Sequence, residues 1–417
     1  VRAGLLGDPS PQRRDETYGD ATMTTIADHV TESVAAAHAG WAQVMAMTLR
    51  ATGDLGVAED CLDYAYAAAS EQWLTQGVPD DPIAWLAQAA RGYVTRDRSG
   101  RSPRSLPWPA TADDLDEVRL IFLSSHPDVS PYMRAALTLR LVCGVPVADI
   151  AALFGVSPTA MTSSLRRAKT TIAESRRQVP GDGADYAHQL GDVLTVTSGL
   201  VAAAHFPPVE PQRLSVDLLA ETTTLSRRLH RLFPHDPETS ATVALALLVQ
   251  AWGEPVAPST GVPLAEEDRA NWDRAAIDRA HDLVLEALQS GGRGRQVLRA
   301  AILSLLTRPE QWSDVDWDEI LQLHEVLVCV DPSPGAALSR LFALAQVEGA
   351  QVALTELTHQ ERLGTIPQCR HFFATKAELL RMAGRDQEAL TWQRQAERHP
   401  ATPYDWDLLA QRMLPSI

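Results

Sequence analysis

The sequence predicts an all-α protein built from several domains, and three observations carry that prediction. Apolar residues recur at helical spacing along the chain, in Val44, Met47 and Leu55, then Leu62, Tyr66 and Trp73, then Trp85, Leu86 and Ala89. Ala and Leu are abundant within an ordinary balance of 45% hydrophobic and 22% charged residues, which suits a soluble helical protein. Helix punctuation is clear: Ser-Pro steps supply an N-cap followed by a proline at the first helical position, and Gly/Pro clusters mark the ends. A chain of 417 residues is long enough for two or three domains with separate cores.

Composition sets the boundaries. Residues 1–22 are polar, aperiodic and Gly/Pro-containing, and read as a disordered arm ahead of Met23. A first helical domain spans 23–98. Residues 99–114, with Gly100, Pro103, Pro107 and Pro109, read as a linker, because proline breaks both ladder types. A compact helical domain covers 115–180 and closes on Pro180-Gly181-Asp182-Gly183. Residues 181–417 read as helical hairpins interrupted near 207–211, 253–263, 291–294, 331–335 and 364–367. Within them, Ala377 to Arg381, Gly384-Arg385 and Glu388 to Trp392 alternate small and large residues around a glycine turn, as a tetratricopeptide-type hairpin does.

Several function classes are excluded. No apolar run approaches the roughly 18–20 residues of a membrane span, and the N-terminal stretch around Arg13, Arg14, Asp15 and Glu16 lacks a secretion signal, so the cytoplasm is expected. Cys61, Cys143, Cys329 and Cys369 are far apart without a CxxC pair, which predicts reduced, mostly buried thiols and no zinc site. There is no phosphate-binding glycine loop, HExxH, nucleophile elbow or dinucleotide fingerprint, so neither catalytic residues nor a cofactor are expected. Scattered histidines such as His38, His126, His205 and His371 read as surface or capping residues rather than metal ligands.

The sharpest local pattern runs from Ser130 to Arg177. Ser130-Pro131 opens a helix with Met133, Leu137 and Leu141 on one face, closed by Cys143-Gly144. Val147, Ile150, Ala151 and Phe154 give a second short helix, Gly155-Val156-Ser157 a tight turn, and Ser157-Pro158 the cap of a third helix. On that third helix Met161, Leu165, Ala168 and Ile172 share one face. Ser157 and Thr159, Thr162, Ser163, Arg166, Arg167 and Lys169 are left for the cap and the others. Small hydroxyls suit close approach to base edges, and arginine and lysine suit phosphates or guanine. This is the pattern of a helix-turn-helix whose second helix enters the major groove. The net charge of −16 opposes nucleic-acid binding for the whole chain, but Ser130–Gln178 carries six Arg and one Lys against Asp149 and Glu174. A plain three-helix bundle with a solvated basic face would show the same charge; turn, capping and face segregation add the argument for DNA.

Two further clusters stand out. Glu59, Asp60 and Asp63 place three carboxylates on neighbouring turns of one helix, a pattern equally typical of a solvated acidic face. Trp85, followed by Arg91, Tyr93, Arg96 and Arg98, sets aromatics among cations, which serves either to clamp single-stranded bases or to end a helix with basic residues at its negative pole.

Taken in order, these residues resemble the extracytoplasmic-function (ECF) sigma factors, in particular the subgroup with a C-terminal tetratricopeptide-like extension. The likeness rests on Gly53-Asp54 with Ala58-Glu59-Asp60, Asp81 to Leu86 with Ala90-Arg91, Val118 to Phe122, His126-Pro127 and Ala136 to Leu141. It continues through Glu267-Asp268-Arg269, Trp272-Asp273-Arg274, Asp316-Trp317, Pro332-Ser333-Pro334 and the hairpin at Ala377–Leu390. The resemblance implies that Glu59, Asp60 and Asp63 dock the β′ clamp helices of core RNA polymerase. It implies that Trp85, Arg91, Tyr93, Arg96 and Arg98 engage the −10 promoter element. The helix from Ser157 through Thr159, Thr162, Ser163, Arg166, Arg167 and Lys169 would read the −35 element beside the β flap. The C-terminal domain would gate activity through a regulatory protein or ligand. After Ala90-Arg91 the subgroup usually carries Asn and further basic residues, where this chain has Gly92-Tyr93-Val94-Thr95. That difference leaves an alternative: a regulator that binds polymerase or DNA without opening promoters.

Overall fold

Capping residues decide where the helices begin and end. The structure, a computed structural model, describes residues 40–96, 114–175, 187–205, 217–253 and 264–399, and all regular structure among them is helical. The fold is all-α. The arm at 1–22, linker residues 99–113 and Arg98 lie outside the described residues. The chain divides into two compact units, the first ending at Asp113 and the second beginning at Asp114.

The first unit contains α1 (Trp41–Thr52), α2 (Leu55–Gln76) and α3 (Pro82–Arg96). Gly53 ends α1 at φ 73°, in the left-handed region that a side chain disfavours, and its N–H returns to the Leu49 carbonyl. Asp54 then caps α2 by accepting from the Gly56 and Val57 amides at 2.7 and 3.0 Å. Asp81 caps α3 through the Ala84 amide at 2.9 Å, with Pro82 following it. Met45, Leu62 and Leu86, one from each helix, are fully buried where the three meet. Aromatic pairs close the edges, Trp41 on Tyr66 at 4.7 Å and Trp73 on Trp85 at 5.4 Å between ring centroids.

The second unit begins with α4 (Asp114–Ser124) and α5 (Pro131–Leu137), which continues into a π-helical turn at Thr138–Val142. Then come α6 (Val147–Leu153) and α7 (Pro158–Glu174). Ten more helices follow: α8 (Ala187–His205), α9 (Leu218–Leu232), α10 (Pro237–Ala251), α11 (Arg274–Gln289), α12 (Arg295–Thr307), α13 (Trp317–Val330), α14 (Pro334–Glu348), α15 (Ala350–Leu363), α16 (Arg370–Met382) and α17 (Asp386–Arg398). Helix α10 is the hub, packed on α8, α9, α11 and α12. It is buried nearly along its length, which explains why its apolar residues run all round it.

Many of the C-terminal residues that carry the family likeness are structural. Arg269 is buried and donates from Nη1 to the carbonyls of Leu306 and Pro309, both at 3.0 Å, where α12 ends and its dipole is negative. Its guanidinium also lies 4.9 Å from the Trp272 ring and 5.5 Å from the Trp312 ring. Asp273 caps α11, Asp316 caps α13 and Ser333 caps α14. Gly384, at φ 73°, makes the turn between α16 and α17.

None of the four cysteines is in a disulfide; Cys61 and Cys143 are buried as expected, whereas Cys329 is exposed on α13. His205 and His371 are buried rather than at the surface, and His126 is buried with Nδ1 accepting from the Asp128 amide at 3.2 Å. No helix of the described residues is long and apolar enough to cross a membrane.

A candidate nucleic-acid interface

The helix-turn-helix is assembled by local caps. Ser130 caps α5 through the Met133 amide, and the π-helical turn that follows places both Leu139 and Leu141 fully in the core. The extra residue in that turn was invisible to a helical-period reading, which assumes 3.6 residues per turn. The Ser124 and Thr138 hydroxyls meet beside it at 3.0 Å. Burial pushes the Cys143 thiol up to about 12, so it stays protonated and unreactive.

In α6, Ile150 and Ala151 are buried, and Gly155 makes the turn at φ 63°. Tyr132 braces that turn: its ring stands edge-on to Phe154 at 4.4 Å and its hydroxyl donates to the Phe154 carbonyl at 3.3 Å. Ser157 then caps α7 through the Ala160 amide at 3.2 Å.

On α7 the buried residues are Met161, Leu165, Ala168 and Ile172, the four that the periodicity selects. Ser157, Thr159, Thr162, Arg166 and Arg167 are exposed, and Ser163 and Lys169 are half-buried. The Thr162 hydroxyl donates back to the Pro158 carbonyl at 2.9 Å, and Arg167 donates to the Ser164 hydroxyl at 3.1 Å. One face of the helix is therefore fixed to the core and the other presents hydroxyls and guanidinium groups to solvent.

The opposite side of the helix-turn-helix is covered by the C-terminal helices. Helices α4 and α5 pack on α8. Glu117, 8% exposed, lies 3.3 Å from Arg228 Nε and 3.2 Å from Arg231 Nη2 on α9. Phe122 meets Phe233 edge-on at 6.1 Å. Arg134 donates to the Val129 and Pro127 carbonyls and reaches Asp192 of α8 at 3.2 Å. The ion pairs were not singled out from the sequence, because opposite charges in distant segments carry no periodic signal.

Beneath this contact, burial raises the Glu221 carboxyl to about 7; Arg228 opposes the rise and Asp217 adds to it. The folded state then holds this proton more readily than the unfolded chain. Stability is therefore lost as pH rises from the ordinary carboxylate range toward neutrality. Glu221→Gln is expected to flatten that loss and to exceed the wild type at pH 8 by about 1 kcal/mol, a figure discounted because the carboxyl is partly solvated. Urea midpoints of the two proteins at several pH values measure this; parallel curves would assign the pH dependence to another group.

In the first unit the acidic cluster divides. Asp60 and Asp63 are exposed, but Glu59 is 8% exposed, which corrects its expected surface position. The reason is helical register: Glu59 lies four residues after Leu55 and three before Leu62, both buried. Arg91 is exposed, whereas Trp85 is half-buried against Trp73 and Tyr93 is half-buried with its ring 5.2 Å from Tyr64. Arg96 is the last residue of α3, and its side chain, like Arg98, lies outside the described residues. No group of three or more potential metal ligands occurs among the described residues.

The family described as Sigma-70, region 4, matches residues 127–172, the stretch that forms α5 to α7. The chain belongs to the sigma-70 family. A family of unknown function (DUF6596) matches residues 189–288 of this sigma-70 protein, from α8 to α11. An uncharacterized protein of Rhizobium meliloti (strain 1021) is 31% identical over 373 residues, covering 84% of this chain and 87% of that one. No solved structure matches. Region 4 of the sigma-70 family implies interaction with RNA polymerase and promoter DNA in general, and members of the family are not enzymes.

Proposed function

We propose that this protein is an ECF-type sigma factor that binds core RNA polymerase and directs it to specific promoters, with a tetratricopeptide-like regulatory domain at residues 181–417. In this reading residues 23–98 form the polymerase-clamp and −10 domain, 99–114 a linker, and 115–180 the −35 domain. The observation that carries it is α7, whose apolar face is fully buried while Thr159, Thr162, Arg166 and Arg167 stand exposed together. Exposed Asp60 and Asp63 supply charge for the β′ clamp helices, and Arg91 supplies a cation for the −10 element. The β flap is the further polymerase contact of the −35 domain, and the C-terminal domain takes a regulatory protein or ligand. The site of action is the cytoplasm.

Run-off transcription with core polymerase and the DNA upstream of its own operon tests this: a discrete transcript is expected. Gly92-Tyr93-Val94-Thr95, in place of the family's amide and basic residues, favours a second reading in which polymerase is bound but promoters are not opened. Polymerase binding without a transcript would select it. Reversing the exposed carboxylates, Asp60→Arg with Asp63→Arg, is expected to weaken co-purification with core polymerase by about tenfold or more while leaving the fold intact. Glu59 is left in place because its burial would confound the result. Undiminished co-purification would remove the acidic face from the polymerase contact.

A further inference from the structure

A cleft of about 300 Å³ opens among α8, α10, α12 and the end of α13, and its chemistry is mixed. Asp192 and Thr195 lie three residues apart on α8 and so face the same way, about 5–6 Å apart. Across from them Arg295 is held on two sides: Nη1 donates to the Thr195 hydroxyl at 2.7 Å and Nε lies 3.2 Å from the Asp331 carboxylate. A third of the Arg295 side chain remains exposed (34%), and it lines the cleft. The Asp192 carboxylate is 55% exposed. Glu238 also lines the cleft, but its carboxylate is committed to the N-terminus of α12, accepting from the Gln296 and Val297 amides at 2.8 and 3.4 Å.

Gly191 is the second observation. It sits inside α8, where glycine costs about 0.5–1 kcal/mol relative to alanine, yet a Cβ there would meet nothing within 4 Å. Packing does not require the glycine; its effect is to widen the cleft that it lines.

We propose that this cleft binds a small zwitterion of amino-acid size, with its carboxylate on Arg295 and its ammonium on Asp192, and that occupancy releases the helix-turn-helix tie made by Arg134. An anion alone would be repelled by Asp192 and a cation alone by Arg295. A molecule carrying both charges matches both, its hydrogen bonds reaching from neighbouring charged groups to protein partners a helical turn apart. The volume is at the small end of ligand sites and suits a molecule of amino-acid size. An ammonium on Asp192 competes directly with Arg134 of α5, 3.2 Å from the same carboxylate. Ligand in the cleft is thereby coupled to the element that positions α7.

The test uses the full chain and the twenty proteinogenic amino acids at millimolar concentration, with propionate and propylamine as single-charge controls. At least one amino acid is expected to raise the melting temperature saturably, by about 4 °C or more, and neither control should do so. Gly191→Leu, which sends a side chain into the cleft from a Cβ position with nothing within 4 Å, and Asp192→Asn, which removes the ammonium partner, are each expected to abolish the shift. The same ligand should speed hydrogen exchange of the α5 amides. No shift with any amino acid, or a shift that survives in Gly191→Leu, would overturn the site; unchanged α5 exchange in the bound protein would overturn the coupling. Neither measurement involves DNA or polymerase, so its failure leaves the promoter reading untouched.

Discussion

Replacing Arg166 and Arg167 together by alanine is expected to reduce affinity for the promoter duplex by roughly tenfold to a hundredfold, with little change in stability. Both side chains are exposed on the face of α7 opposite Met161, Leu165, Ala168 and Ile172, so removing them opens no cavity. The salt dependence tells how they act. If both contact phosphates, the slope of log affinity against log salt falls by about two and all sequences weaken alike. If one reads guanine, affinity falls by about 1–3 kcal/mol for the cognate sequence only, and discrimination at one position relaxes. Fluorescence anisotropy at several salt concentrations separates these outcomes. Arg394→Ala, an exposed charge on α17, is the control for net charge alone. Equal losses from that control and from the double variant would mean that α7 does not face DNA.

The largest loss of stability is expected at Asp331. Its Oδ2 accepts from Arg299 at 2.8 Å and lies 3.2 Å from Arg295 Nε, with Asp331 3% and Arg299 8% exposed. Asp331→Ala strips a buried guanidinium of its carboxylate, which costs about 3–5 kcal/mol because the desolvation penalty remains after the attraction has gone. For a unit of this size that lowers the melting temperature by about 10 °C. Combining Asp331→Leu with Arg299→Met, which removes both charges and keeps the volume, should recover most of the loss. Thermal denaturation of the single and double variants decides it; a single variant within about 1 kcal/mol of wild type would show the pair to be solvent-screened.

Packing also changes what truncation should do. A chain ending at Pro180 keeps α4 to α7 but loses the helices that pack on them. In the folded protein Phe122 is 1% exposed, with Phe233 just after α9 against it, and Glu117 is held by Arg228 and Arg231. Cutting at Pro180 uncovers an aromatic face and leaves a buried carboxylate without its cations.

What the sequence alone determined is the set of features encoded within a few residues. The caps Asp54, Ser130, Ser157 and Ser333 act on amides two or three positions away. Gly53, Gly155 and Gly384 each take a positive φ at a turn. The buried face of α7 follows from one period along one helix. Such signals survive in a bare sequence because the interacting groups are neighbours in the chain. Only the tertiary structure decided which polar residues are buried. Glu59 turns inward because its helix meets α1 and α3 on that face. The π-helical turn at Thr138–Val142 takes its register from the core around it rather than from its own residue types. Arg134 and Asp192, or Glu117 and Arg228, are brought together by helix packing across long stretches of chain. The cleft beside Gly191 exists because four helices from separate stretches converge there, and a cavity is a property of packed surfaces that no local spacing records.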